Sequence, residues 1–195
     1  MTETITFYNT NATAFFNSTV NVDMASLYAP FEKRLAKNAR ILDLGCGSGR
    51  DSKYFLTKGF TVTALDFSEE LVALASELTG LNVLCRNFLD IDFNQEFEGI
   101  WACASLLHLT PEDLPVVFSK INRSLVPGGI FYLSFKYGNF SGLRNGRYFT
   151  DLDEAGLQRL VEPIGSFKII ETFKTHDVRK GRESEMWLNA IIQKQ

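Results

Sequence analysis

Asp43-Leu44-Gly45-Cys46-Gly47-Ser48-Gly49-Arg50-Asp51 sets three glycines at every second position between an acidic residue and a polar stretch. Glycine has no Cβ and takes positive φ without strain, so a ligand can come against the bare backbone of such a turn. The polar stretch from Arg50 reads as a helix start. Its free N–H groups and positive dipole end suit a carboxylate or a phosphate. Asp66 lies 21 residues after Gly45, close to the offset of about 20 at which a carboxylate receives ribose hydroxyls in a βαβ nucleotide site. A carboxylate only accepts hydrogen bonds, which is what two adjacent hydroxyls require. The competing reading of Asp66 is the opening of a turn. His108 titrates near neutrality in its ordinary state, so it fits a general base or a packed hydrogen-bonding ring.

These groups need strands and helices to carry them. Arg40–Leu44 is an apolar run that reads as the first strand, and residues 50–58 form a helix closed by Gly59. Residues 60–65 are β-branched and apolar, a second strand that ends at Asp66. Ser68 caps the next helix, with Glu69 and Glu70 in its first turn and Gly80 at its end. Residues 81–85, 97–104 and 129–135 read as strands three to five, with a helix from Thr110-Pro111 to about Ser124 between the last two. A helix over 151–162, opened by Asp151 or Asp153, precedes two strands at 167–173 and 185–192. No helix separates those two, so they are antiparallel neighbours. Residues 7–37 read as helical, with Asp23 capping a second helix from Met24 to about Lys37 and Pro30 as its weak point.

The glycine spacing separates two kinds of nucleotide site. A dinucleotide fingerprint reads G-x-G-x-x-G, and here Arg50 stands where its last glycine would be. Leu42-Asp43-Leu44-Gly45-Cys46-Gly47-Ser48-Gly49 instead resembles motif I of the class I S-adenosylmethionine (SAM) dependent methyltransferases. Trp101–Leu109 and Leu125–Gly129 resemble later segments of that family, and the resemblance runs from about Ala39 to Gln193. It implies an α/β fold: a Rossmann-like, seven-stranded, mostly parallel sheet with a C-terminal antiparallel hairpin and helices on both faces. It implies a single domain over 1–195, with residues 1–38 as a helical cover and 39–195 as the SAM-binding core. The implied cofactor is SAM, leaving as S-adenosylhomocysteine. Gly45, Cys46, Gly47 and Gly49 then give backbone approach, Asp43 or Arg50 orders the methionine end, and Asp66 with Phe67 meets the ribose. Asn87 and Phe88 meet the adenine, and Ser105 flanks the sulfonium. Asn87 departs from the family's usual aspartate, and an Asx turn is its competing reading. Tyr8 and Thr19, on the leading helices, reach the ligand or merely cover the sheet.

Lys136, Tyr137, Arg144, Arg147 and Tyr148 follow strand five, at the end of the sheet where open α/β folds bind ligands. They form a pocket for an anionic acceptor, or a solvated loop whose aromatics pack on the core. The net charge of −3 and a pI near 5.5 argue against a broad basic face for DNA. Three scattered cysteines and two histidines offer no metal cluster, so no metal is expected. The N-terminus has no signal-peptide pattern and no run is long and apolar enough for a membrane span, so a cytoplasmic monomer or homodimer is expected. No Asn/Asp-Pro-Pro-Tyr/Phe string follows strand four; its slot reads Ala102-Cys103-Ala104-Ser105. The expected function is methyl transfer from SAM to a small-molecule acceptor, with His108 as the candidate catalytic residue. The alternatives are a tRNA or protein acceptor, and a SAM-binding protein without turnover. An NAD-dependent oxidoreductase is opposed by the glycine spacing.

Overall fold

Five apolar runs lie side by side as parallel strands in the computed structural model, which describes residues 2–179 and 181–195. They are β1 (Arg40–Leu44), β2 (Thr61–Asp66), β3 (Leu84–Cys85), β4 (Phe97–Ala102) and β5 (Leu125–Lys136). Two short strands follow, β6 (Ser141–Arg144) and β7 (Arg147–Thr150), and then β8 (Phe167–His176) and β9 (Met186–Lys194). The seven-stranded sheet has the order β3-β2-β1-β4-β5-β9-β8. β9 is antiparallel to both of its neighbours, so the final hairpin inserts its last strand into the sheet. The helices are α1 (Thr2–Thr10), α2 (Ala12–Thr19), α3 (Ala25–Glu32), α4 (Arg50–Thr57), α5 (Glu69–Thr79), α6 (Asp113–Ser124) and α7 (Glu154–Val161).

Parallel strands covered on both faces need apolar residues on both sides of the pleat. Along β4 and β5, Ile100, Ala102, Phe131 and Leu133 enter one buried cluster, which includes residues of α6 and α7. Trp101, Ile130 and Tyr132 enter the other, with residues of α3 and α4. Trp101 stacks on Tyr132 at 3.8 Å between ring centres. The carboxyl ends of β1, β2 and β4 are thereby held in one row, above which the site forms.

Several expected boundaries shift. α1 begins at Thr2, and α3 stops at Glu32, two residues past Pro30, instead of reaching Lys37. Met24, not Asp23, holds the cap position of α3; Asp23 Oδ1 accepts from the Ala25 N–H at 2.9 Å. β3 is two residues long, and α6 begins at Asp113, whose N–H donates to Thr110 Oγ1 at 3.2 Å. Asp153, not Asp151, caps α7 by accepting from the Gly156 N–H at 2.6 Å. The stretch read as a polar loop after β5 contains the β6–β7 hairpin. Asn145 and Gly146 turn it with φ of 51° and 75°, the double positive φ of a type I′ turn.

Candidate functional site

β1 ends because Gly45 turns the chain at φ +82°. The N–H groups of Gly45 and Cys46 both donate to the Leu65 carbonyl, at 2.9 and 3.0 Å, which ties the turn to the end of β2. A Cβ on Gly45 would sit 2.5 Å from Ser105 Cβ and 2.9 Å from Phe88 Cζ, so side chains arriving from the β3 and β4 ends exclude anything larger. Gly49 serves another purpose: its missing Cβ lets the start of α4 rest on Ala75 of α5, which would lie 3.1 Å away. Asp66 Oδ2 accepts from the Gly47 N–H and Oδ1 from the Ser68 N–H, both at 2.9 Å. Burial raises its pKa, against those backbone donors. No cation pairs with it among the described residues, so each oxygen keeps accepting capacity toward the cavity that it lines. Two adjacent hydroxyls would match that capacity.

That cavity, of about 220 Å³, lies over the carboxyl ends of the strands. Arg50 enters its wall from α4 and grips Asp51 twice, Nε to Oδ1 at 2.6 Å and Nη2 to Oδ2 at 3.0 Å. Asp51 also accepts from the Tyr28 hydroxyl at 2.5 Å and the Trp101 indole at 2.8 Å. Burial works to raise Asp51's pKa, but the Arg50 guanidinium and these donors outweigh it and hold the carboxyl below its ordinary value. Asp43 sits behind the wall, buried, and accepts from the Ser52 hydroxyl at 2.6 Å. Burial, and then the charge on Asp51, push its carboxyl up to about 8.

α1 roofs the cavity. Ser68 donates to Asn9 at 2.6 Å, and Thr4 accepts from the Tyr148 N–H at 2.9 Å, so the helix is tied to the cap of α5 on one side and to β7 on the other. Between those ties, Tyr8 meets His108. His108 Nδ1 lies 2.7 Å from the Tyr148 carbonyl, which can only accept, so Nδ1 carries the proton. Nε2 then offers its lone pair to the Tyr8 hydroxyl at 2.8 Å. Arg147 Nη1 donates to the same hydroxyl oxygen at 3.3 Å. Burial, with the Arg147 charge adding to it, lowers the His108 pKa to about 4. Burial likewise raises Tyr8, against the pull of Arg147. The pair is neutral and mutually hydrogen-bonded at neutral pH.

The amino-acid sequence has relatives. Residues 41–129 match the family model described as a methyltransferase domain. An uncharacterized methyltransferase of Staphylococcus carnosus is 32% identical over 104 residues, which are 52% of this chain and 50% of its own. The cyclopropane-fatty-acyl-phospholipid synthase of Escherichia coli is 31% identical over 104 residues, 51% of this chain and 27% of its own. The chain thus spans about half, or less, of these relatives. Over residues 41–129 the chain is thus similar to methyltransferase domains. Its fold is shared with the 1,6-didemethyltoxoflavin-N1-methyltransferase of Burkholderia thailandensis, solved with 1,6-didemethyltoxoflavin and S-adenosylhomocysteine (TM-score 0.77, 23% identity, 98% of this chain and 85% of that one). It is shared as well with the [4+2]-cyclase SpnF (TM-score 0.75, 16% identity, 97% and 94%).

Within this fold, Gly45, Cys46, Gly47, Arg50, Asp66, Phe67, Asn87, Phe88 and Ser105 line one cavity, together with Tyr8, Thr19, His108, Lys136 and Arg147. Asp43 and Gly49 do not reach its wall, being turned into the α4 and α5 packing. Asn87 forms the Asx turn, its Oδ1 accepting from the Leu89 N–H at 3.0 Å, while still bordering the cavity. Three residues expected around an acceptor stand away from it. Arg144 pairs with Asp151 at 2.8 Å, the Tyr137 hydroxyl donates to Glu154 at 3.0 Å, and the Tyr148 hydroxyl meets Ser141 at 2.8 Å. The β8–β9 connection, read from the sequence as a plain link, also closes the cavity. Its buried Asp177 accepts from Arg179 Nε at 2.9 Å and from the Trp187 indole at 3.2 Å. Only the clustering of charges over 177–185 hinted at this wall.

Proposed function

We propose that the chain binds SAM across the Gly45–Gly47 turn and Asp66, and transfers its methyl group to a small-molecule acceptor held under α1. The observation that carries this reading is Asp66: a half-buried carboxylate bonded by backbone amides alone, facing the cavity at the end of β2. SAM supplies a methyl group on a sulfonium, a good leaving group, so the protein's task is to orient an acceptor and keep water out. Asp66 accepts from the ribose hydroxyls. Arg50 Nη1, which has no protein partner among the described residues, takes the methionine carboxylate. Asn87 and Phe88 flank the adenine, while Asp43 and Gly49 shape the turn from behind. Residues 1–38 act as the cover of the 39–195 core within one domain. His108 positions Tyr8 and takes no proton, because its lone pair is already engaged and burial disfavours its cation.

An acceptor side closed by α1, the β6–β7 hairpin and the β8–β9 connection favours a small molecule over a polymer. A SAM-binding protein without turnover is the second reading, favoured by the mutual satisfaction of Tyr8 and His108, which leaves that pair no proton-accepting role. Acceptor-dependent release of S-adenosylhomocysteine, assayed with low-molecular-weight, RNA and protein fractions of a cell extract, separates these readings. Turnover confined to the low-molecular-weight fraction supports the first. Turnover with RNA or protein instead, or SAM binding with no turnover in any fraction, overturns it.

A further inference from the structure

The cations around the acceptor side differ in one respect. Arg50 is held by Asp51, Arg144 by Asp151, Arg179 by Asp177 and Lys136 by Glu185. Two line the cavity with no carboxylate partner among the described residues, Arg182 in the β8–β9 connection and Arg147 in β7, and of these only Arg147 is packed among aromatic rings. Its one side-chain bond is the 3.3 Å contact from Nη1 to the Tyr8 hydroxyl. Its Nε is buried with no partner at all. The Nε/Nη2 edge is the side of a guanidinium that grips a carboxylate through two parallel bonds. Here that whole edge lacks a protein acceptor.

The guanidinium is also held in place. Its carbon lies 4.4 Å from the centre of the Phe7 ring, 5.1 Å from Phe149 and 5.7 Å from Tyr8. Its backbone is fixed one residue after the Asn145-Gly146 turn, paired with Arg144 across the hairpin. A half-buried cation without a counter-charge is costly unless an anion completes it. An arginine caged by aromatic rings, with no protein acceptor on its bidentate edge, is disposed to take an oxyanion there.

We propose that Arg147 selects the acceptor: it takes a carboxylate, or an equivalent anionic oxygen pair, on a planar molecule held among Tyr8, Phe149 and Trp187. The inference rests on the methyl-transfer reading for its purpose but not for its test. The neutral Tyr8–His108 pair sits beside the same guanidinium and fixes the orientation of the Tyr8 oxygen, while the anion fixes the acceptor.

The test uses benzoate, salicylate and nicotinate beside benzamide, salicylamide and nicotinamide. Each is titrated into the whole protein, free and saturated with S-adenosylhomocysteine, by ligand-observed NMR. At least one acid should bind the wild type about tenfold more tightly than its amide, the scale of a lost charge-assisted pair. Arg147→Gln should abolish that preference, and Arg147→Lys, which keeps the charge without the fork, should restore part of it. No acid preferred over its amide, or a preference unchanged in Arg147→Gln, overturns the inference. Failure of the wild type to bind S-adenosylhomocysteine overturns the methyl-transfer reading instead, and the acid preference of the free protein still decides the role of Arg147.

Discussion

Two titratable groups at this site have shifts of opposite meaning. His108 is depressed to about 4 from 6.5 by burial and by Arg147. Its contribution to stability is therefore present above 6.5 and is lost as pH falls through about 4. ¹⁵N-detected NMR should show the Nδ1–H tautomer unchanged from pH 8 to pH 5. Tyr8→Phe leaves Nε2 buried without a donor and should cost about 1–3 kcal/mol by urea unfolding. Asp43 is raised to about 8 from 3.8 by burial and by Asp51. Across that window the folded state holds a proton that the unfolded chain has lost, so this group makes stability fall as pH rises toward about 8. Asp43→Asn keeps an acceptor for Ser52 and removes the titration. Its unfolding midpoint should differ less between pH 5 and pH 8 than that of the wild type, and an unchanged difference would refute the assignment.

At the scale of elements, the parallel strands were legible because burial on both faces makes them continuous apolar runs. Residues 41–44, 62–65 and 130–135 could hardly be anything else. The antiparallel end was legible from the missing helix between β8 and β9. β3 was overdrawn because Leu81 and Val83 are apolar for packing beneath α5, while only Leu84 and Cys85 enter the ladder. The β6–β7 hairpin was missed although Asn145-Gly146 is a strong hairpin signal; four-residue strands with glycine and arginine in them carry little periodicity. That hairpin holds Arg147 and, through the Tyr148 carbonyl, sets the His108 tautomer. Gly146→Ala places a side chain at φ +75°. It should cost about 1 kcal/mol, lowering Tm by about 2–4 °C. S-adenosylhomocysteine affinity should stay within about twofold, since the hairpin stands on the acceptor side.

Over the whole molecule, the site divides into a floor and a roof. The floor is the row of strand ends with the glycine turn, Asp66 and Arg50, and the order of the sheet places it there. Local sequence revealed it, because a strand, a tight turn and a helix start are contiguous in the chain. The roof is assembled from α1, the hairpin and the β8–β9 connection, which lie far apart in sequence. Tyr8 and His108 are 100 residues apart and Arg147 is 139 from Tyr8. No spacing rule joins such residues, so Arg144 and Arg147 looked equivalent in the sequence. The structure distinguishes them: one is neutralised by Asp151 and the other is not.

Asp66 and the glycine turn are proposed to hold an adenosyl ligand. Calorimetric titration of S-adenosylhomocysteine into the wild type and into Asp66→Asn, with the fold of each checked by circular dichroism, tests it most directly. The wild type should bind in the micromolar range, and the variant should lose about a hundredfold as two hydrogen bonds to a charged group become bonds to a neutral amide. Equal affinities, or a folded wild type that does not bind, would contradict it.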